Sequence, residues 1–239
     1  MRATSVRWFV AILIVSAATL NLGCANNLLD DILVWDPFET DDPADLAKYG
    51  PTPAQRIEEL RALAGKANGL SPQQQDQFSH QLADELAESK NPLVKIELVR
   101  TVGALKTQIA DDTLRSAAKD DNANVRVALC ETLSHRGDAR LLAEILASDG
   151  DDQVRLAAAR GLGSIDNPDA ETQRFIRQSL SVALEDPSPA LQHRGMLSLK
   201  NTTGQDYGGD LEAWRRFARG DQTPTPTTPS LAERINEIF

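Results

Sequence analysis

The residues of this 239-residue chain that could do chemistry are three histidines, two cysteines and several runs of aspartate. A metal site needs such groups clustered, for instance as two histidines one helical turn apart. His80, His135 and His193 are too dispersed for that, with no pair four residues apart. Asp149-Gly150-Asp151-Asp152 superficially suits calcium. It lacks the ligand spacing and closing glutamate of a calcium loop, and it falls where a helix N-cap is expected. The chain has no glycine-rich phosphate loop and no nucleophile elbow. Cys130 lies in Val127-Ala128-Leu129-Cys130, on the apolar side of a helical pattern with no base at a telling spacing. It reads as a buried, inert thiol. No residue is therefore assigned to catalysis, to a cofactor or to a metal, and the chain is expected not to be an enzyme.

Cys24 stands in a different context. Arg2 and Arg7 form a positive start, Trp8 to Leu20 is largely apolar, and Leu20-Asn21-Leu22-Gly23-Cys24 closes the segment. The apolar stretch is shorter than the roughly 20 residues that span a bilayer, and its layout is that of a removable signal. The closing residues resemble a bacterial lipobox, in which a small residue precedes the cysteine to be acylated. Gly23 and Cys24 fit that pattern, while Asn21 occupies a position where an aliphatic residue is usual. The resemblance implies a signal peptide over 1–23, lipidation at Cys24, and a protein held on a bacterial membrane, facing the periplasm or exterior. An anchor of more than one acyl chain would hold it stably. Lipidation of Cys24 would leave Cys130 without an intramolecular disulfide partner.

Composition narrows the classes further. The chain is rich in Ala and Leu and only 5% aromatic, which favours closely packed helices over a β-sandwich. The formal net charge is −10, and removing Arg2 and Arg7 takes it to −12. Such a surface repels phosphate backbones and anionic lipid headgroups, so nucleic acid is not an expected partner. No small-molecule substrate is evident either.

The elements that position these residues are helices in repeated units. Thr52-Pro53 with Gln55, and Ser71-Pro72 with Gln74, each read as N-cap, first-turn proline and capping-box partner. The first helix carries Ile57, Leu60 and Leu63 and ends near Gly65 to Gly69; the second carries Phe78, Leu82 and Leu86. Four copies of one helical line then open at Val94, Val125, Val154 and Leu191, spaced 31, 29 and 37 residues apart. Each shares apolar or small residues at 0, +4 and +8, with +3 and +7 widening the stripe. Shorter amphipathic helices are predicted over 112–119, 139–148 and 170–184. Helix pairs repeating at this period cannot bury their apolar faces alone, and stacking them yields an all-α solenoid.

The repeated line resembles HEAT repeats, in particular the short type found in phycobilin lyases. The motif that carries the resemblance is Asp-x-x-Val-Arg-x-Ala-Ala, matched over Asp121 to Leu129 and Asp151 to Ala159. It extends over about Ser71 to Asn201. In that family the aspartate and arginine tie adjacent units into a ladder. The resemblance assigns this role to Asp121, Arg126, Asp151 and Arg155. Lys95 and Gln192 replace the arginine in the first and last copies, so the ladder is expected to weaken at the array ends.

Three segments flank the predicted solenoid of residues 51–203. Residues 24–50 form an acidic and hydrophobic tether, in which 25–47 holds seven carboxylates, no basic residue, and Leu28, Leu29, Ile32, Leu33, Val34, Trp35 and Phe38. It reads either as a spacer whose apolar residues dock on the first repeat, or as a recognition segment that folds on a partner. Residues 204–222 hold a Gly/Asp-rich turn and a helix bearing Trp214, resembling a segment that follows HEAT-like arrays in exported planctomycete proteins. Asp210 is expected to cap this helix, and Trp214 with Phe217 to seal the open end of the stack. Residues 223–239 combine a stiff Thr/Pro spacer with a short amphipathic helix carrying Leu231, Ile235, Ile238 and Phe239, which must dock on the body or on another protein.

The functional expectation is a membrane-anchored scaffold that binds a protein partner on a concave face built mainly from the second helices, with Arg126, Arg155 and His193 as candidate contacts. The alternative that the resemblance allows is a subunit of a lyase-type enzyme.

Overall fold

The computed structural model describes residues 50–221. The signal segment, Cys24, the acidic stretch and the Thr/Pro spacer with its terminal helix lie outside the described residues. Within them the chain is helical with no strand. The order is α1 (Pro53–Lys66), a 3-10 turn (Ala67–Gly69), α2 (Pro72–Glu88), α3 (Pro92–Ala104), α4 (Gln108–Ala117), α5 (Ala123–Arg136), α6 (Ala139–Ser148), α7 (Asp152–Leu162), α8 (Ala170–Ser179), α9 (Ser181–Glu185), α10 (Pro189–Thr203) and α11 (Leu211–Arg219).

Short polar side chains set the helix starts. At both predicted capping boxes the two bonds are made: Gln55 N–H donates to Thr52 Oγ1 at 3.3 Å while Thr52 N–H donates to Gln55 Oε1 at 2.8 Å. Ser71 and Gln74 do the same at 3.3 and 2.9 Å. Asn91, Asn122 and Asp151 accept first-turn amides of the three central copies. Each bond satisfies an amide that the helix itself leaves unpaired.

Two layers result. The repeat-copy helices α3, α5, α7 and α10 pack directly on one another in sequence order, and α1 packs on α3 as a fifth member. The helices between them, α2, α4, α6, α8–α9 and α11, form a second layer whose members meet less closely. Leu98, Leu129 and Leu162, at +4 or +8, are fully buried between the layers, as are Leu114, Leu142 and Ile176 of the second layer.

The tight layer depends on small residues at its crossings. A Cβ built on Gly103 would stand 2.1 Å from Cγ2 of Thr132 on the next helix, and one on Gly163 would stand 2.6 Å from Cα of Ser198. Both pairs join position +9 of one helix to +7 of the next. Ser134 and Gly161 repeat this register through a hydroxyl-to-carbonyl hydrogen bond of 2.9 Å.

Two elements differ from their predicted form. The helix expected over 170–184 is two, because the chain turns at Leu180 and separates α8 from α9; Leu180, Ala183 and Leu184 stay buried across the bend. The helix expected from Asp112 starts at Gln108, where Thr107 Oγ1 accepts the Ala110 amide at 3.1 Å.

The C-terminal end of the stack closes on aromatic rings. Tyr207, Trp214 and Phe217 are all buried. Tyr207 meets Trp214 edge-on with centroids 4.9 Å apart, and Trp214 lies 6.2 Å from Phe217. Trp214 Nε1 donates to the Gly208 carbonyl at 3.0 Å, and Asp210 caps α11 through the Ala213 amide at 2.9 Å.

Candidate functional site

The charged residues of the repeat motif form a ladder, but its carboxylates differ from those expected. The rungs are Lys95 to Asp120 at 2.6 Å, Arg126 to Asp149 at 2.7 and 2.9 Å, and Arg155 to Asp186 at 3.4 Å. Asp120, Asp149 and Asp186 each stand five residues before the first apolar position of a copy. Each also accepts the amide two residues on, at 2.8 to 2.9 Å. The backbone carbonyl of each receives the side chain at +1 of its own helix: Arg126 at 2.7 Å, Arg155 at 3.0 Å and Gln192 at 2.8 Å. One aspartate thus shapes the turn, joins the previous unit and anchors its own.

Asp151 serves instead as an N-cap, bonding Gln153 N at 2.8 Å, and Asp121 offers Arg126 only its carbonyl at 3.5 Å. The sequence motif misassigns them because more than one aspartate precedes each of these copies, and sequence alone does not show which of them the neighbouring unit reaches. The ladder also persists at the N-terminal end. Arg56 of α1 grips Glu85 of α2 at 2.8 and 2.6 Å, so weakening is confined to the C-terminal end, where Gln192 carries no charge.

These bonds hold charge in place. Burial of Asp149 would raise its pKa, but the Arg126 hydrogen bonds, the Asp151 amide and the nearby guanidinium charges outweigh it and hold the carboxyl below its ordinary 3.8. Arg126 is raised in turn, chiefly by its bond to Asp149. The Arg126 and Arg155 side chains, expected as partner contacts, are thus engaged within the scaffold itself.

The outward side of the tight layer is set by two rows. Position +2 runs Ile57, Ile96, Val127, Leu156, all half-buried, and ends at exposed His193. Position +6 runs Arg61, Arg100, Glu131, Arg160 and Leu197. Along α1 to α5 the charges neutralise one another. Glu97, buried at 6% exposure, receives Arg61 at 3.3 Å and Arg100 at 3.6 Å, and Arg100 also reaches Glu131 at 3.3 Å. An apolar strip flanked by charge, accessible along its length, can accept an extended or helical segment of another protein.

Cys130 is fully buried, with its thiol directed at the Val154 carbonyl 3.9 Å away, and burial pushes its pKa up to about 12. It offers no nucleophile to a groove. Among the described residues no three of His, Cys, Asp and Glu lie close enough to hold a metal ion. No described helix is long and apolar enough to cross a membrane.

With this geometry in view, the fold is an α-solenoid of HEAT-like helix pairs. Residues 79–144, from within α2 to within α6, match the family model for HEAT repeats. No protein of curated function matches the chain.

Proposed function

We propose that this chain is a scaffold that binds another protein on the outward side of its tight helix layer, and that Cys24 anchors it to a bacterial envelope membrane through lipid. HEAT repeats commonly bind protein partners, and the fold here is of that kind. The observation that carries the binding reading is the half-buried strip of Ile57, Ile96, Val127 and Leu156, bordered by charged side chains along its length. A core helix would bury these residues and a purely solvated face would not carry them. The anchoring reading rests on the signal-like segment and on Gly23-Cys24.

Each half has its own test. For binding, a photo-crosslinker placed at Val127 in the cell is expected to trap a discrete partner, while the same probe at exposed Arg174 on the opposite layer traps none. No adduct at Val127, or equal adducts at both sites, overturns the scaffold reading. For the anchor, Cys24→Ala should move the protein from the membrane to the soluble fraction, and unchanged fractionation sinks that half alone.

A further inference from the structure

The charge pattern of the tight layer breaks at one place. Adjacent helices of this layer share one register, with +9 facing +7, at α3–α5, α5–α7 and α7–α10. One turn earlier, +6 of a helix faces +3 of the next, as Arg61 of α1 faces Glu97 of α3 at 3.3 Å. At α7–α10 the same positions hold Arg160 and Arg194. A like-charged pair thus occupies the place where the N-terminal end has a salt bridge.

No carboxylate of α5, α7 or α10 neutralises it. Helix α10 contains no aspartate or glutamate, and the single acid of α7, Asp152, is bound to Arg155 at 2.5 Å. Glu131 of α5 pairs back to Arg100, not forward to Arg160. Among the described residues neither Arg160 nor Arg194 has a hydrogen-bonding or ion-pair partner. Exposed His193 adds a third basic group beside them. Leu156 lies one turn from Arg160 on α7, and Leu197 one turn from His193 on α10, both half-buried. Basic and apolar groups therefore alternate across the two helices in opposite order.

We infer that the α7–α10 junction is the specificity site of the scaffold, and that it takes a protein segment in which carboxylates alternate with aliphatic side chains. The inference rests on the scaffold reading and names its contact point. An acidic peptide supplies the missing partners of Arg160 and Arg194 and lays its aliphatic groups on Leu156 and Leu197. A nucleic acid fits less well. Its phosphate backbone makes no use of the leucines, and it is repelled over longer range by a protein of net charge −10.

The decisive variant is Arg194→Glu in the full-length protein, which recreates at α7–α10 the pair that Glu97 and Arg61 make at α1–α3. It is expected to fold and to melt roughly 1–4 °C higher than the parent. It should also bind a fluorescein-labelled peptide of alternating leucine and aspartate at least about tenfold more weakly by anisotropy. Arg174→Glu, the same charge change on α8, should leave binding within about twofold. A peptide that binds Arg194→Glu as well as the parent, or that binds neither, overturns the inference. So does an oligothymidylate that competes as strongly as the peptide, which would make the site a general polyanion site. Failure here with a specific crosslinked partner at Val127 leaves the scaffold standing and removes only this contact point; loss of that adduct removes the scaffold itself.

Discussion

Single residues of this protein divide into those that hold and those that remain free, and the division is set by partners rather than by type. Arg126 and Arg160 are both arginines on the tight layer, yet Asp149 commits the first and no described residue pairs with the second. Asp149 takes two bonds from Arg126 and one from the Asp151 amide, and its lowered pKa makes its role measurable. A group held below its unfolded value contributes stability that is complete above that value and lost as pH falls through the native one. Asp149→Asn is therefore expected to cost about 2 kcal/mol near neutrality. The gap from the parent should close as pH drops below the ordinary 3.8, as followed by urea melts at several pH values. A gap that stays constant with pH would assign the loss to the turn and not to the ion pair. Cys130 allows a second test at this scale. Because it is buried and its thiol is raised to about 12, peptide mapping should find it unmodified by maleimide in the native protein and labelled in guanidinium. Rapid native labelling would contradict its placement in the core.

Helices were legible wherever one apolar period ran without interruption. The four copies, both capping boxes and α6 follow from their spacing, since a buried stripe and a polar cap leave direct marks in sequence. What was not legible depends on neighbours. Helix α1 joins the tight layer as a fifth copy, but Gln55 and Glu59 hold its 0 and +4 positions, and among the described residues it packs on one neighbour of the layer, α3, only. The division between rung and cap was hidden for a related reason: Asp149 and Asp151 are chemically identical and differ only in what the next unit presents. The bend at Leu180 likewise leaves the apolar pattern continuous. The small residues of the crossings recur at +9 (Gly103, Ser134, Gly163), but that they set the spacing of the layer shows only once the neighbouring helix is in place. Gly163 is the sharpest case, since the contact its Cβ would make is with backbone, 2.6 Å from Cα of Ser198. Gly163→Ala is expected to destabilise by about 1–3 kcal/mol. A neutral or stabilising effect in thermal melts would mean that α10 can move away freely.

At the scale of the whole molecule, each helix pair contacts mainly its neighbours, so stability is shared along the row and not pooled in one centre. The ends then matter more than their size suggests. At the C-terminal end the ladder carries no charge at Gln192, and the closing role falls to Trp214, 1% exposed, with Tyr207 and Phe217 around it. Arg215 adds two bonds to the Leu184 carbonyl, and Arg177 donates to the Phe217 carbonyl at 2.6 Å, so α11 is tied to both α8 and α9. Trp214→Ala removes the largest buried side chain of this end and should cost about 3–5 kcal/mol locally. In a row of nearest-neighbour units that loss falls off with distance. Hydrogen exchange read by mass spectrometry should therefore speed most in α9 to α11, less in α7, and not at all in α1 to α3. Equal acceleration along the chain would show instead that the array unfolds as one cooperative block. Graded loss carries a functional corollary: the α7–α10 junction lies close enough to the cap to loosen with it, so Trp214→Ala should weaken capture of the acidic peptide while the paired strip of α1 to α5 keeps its order.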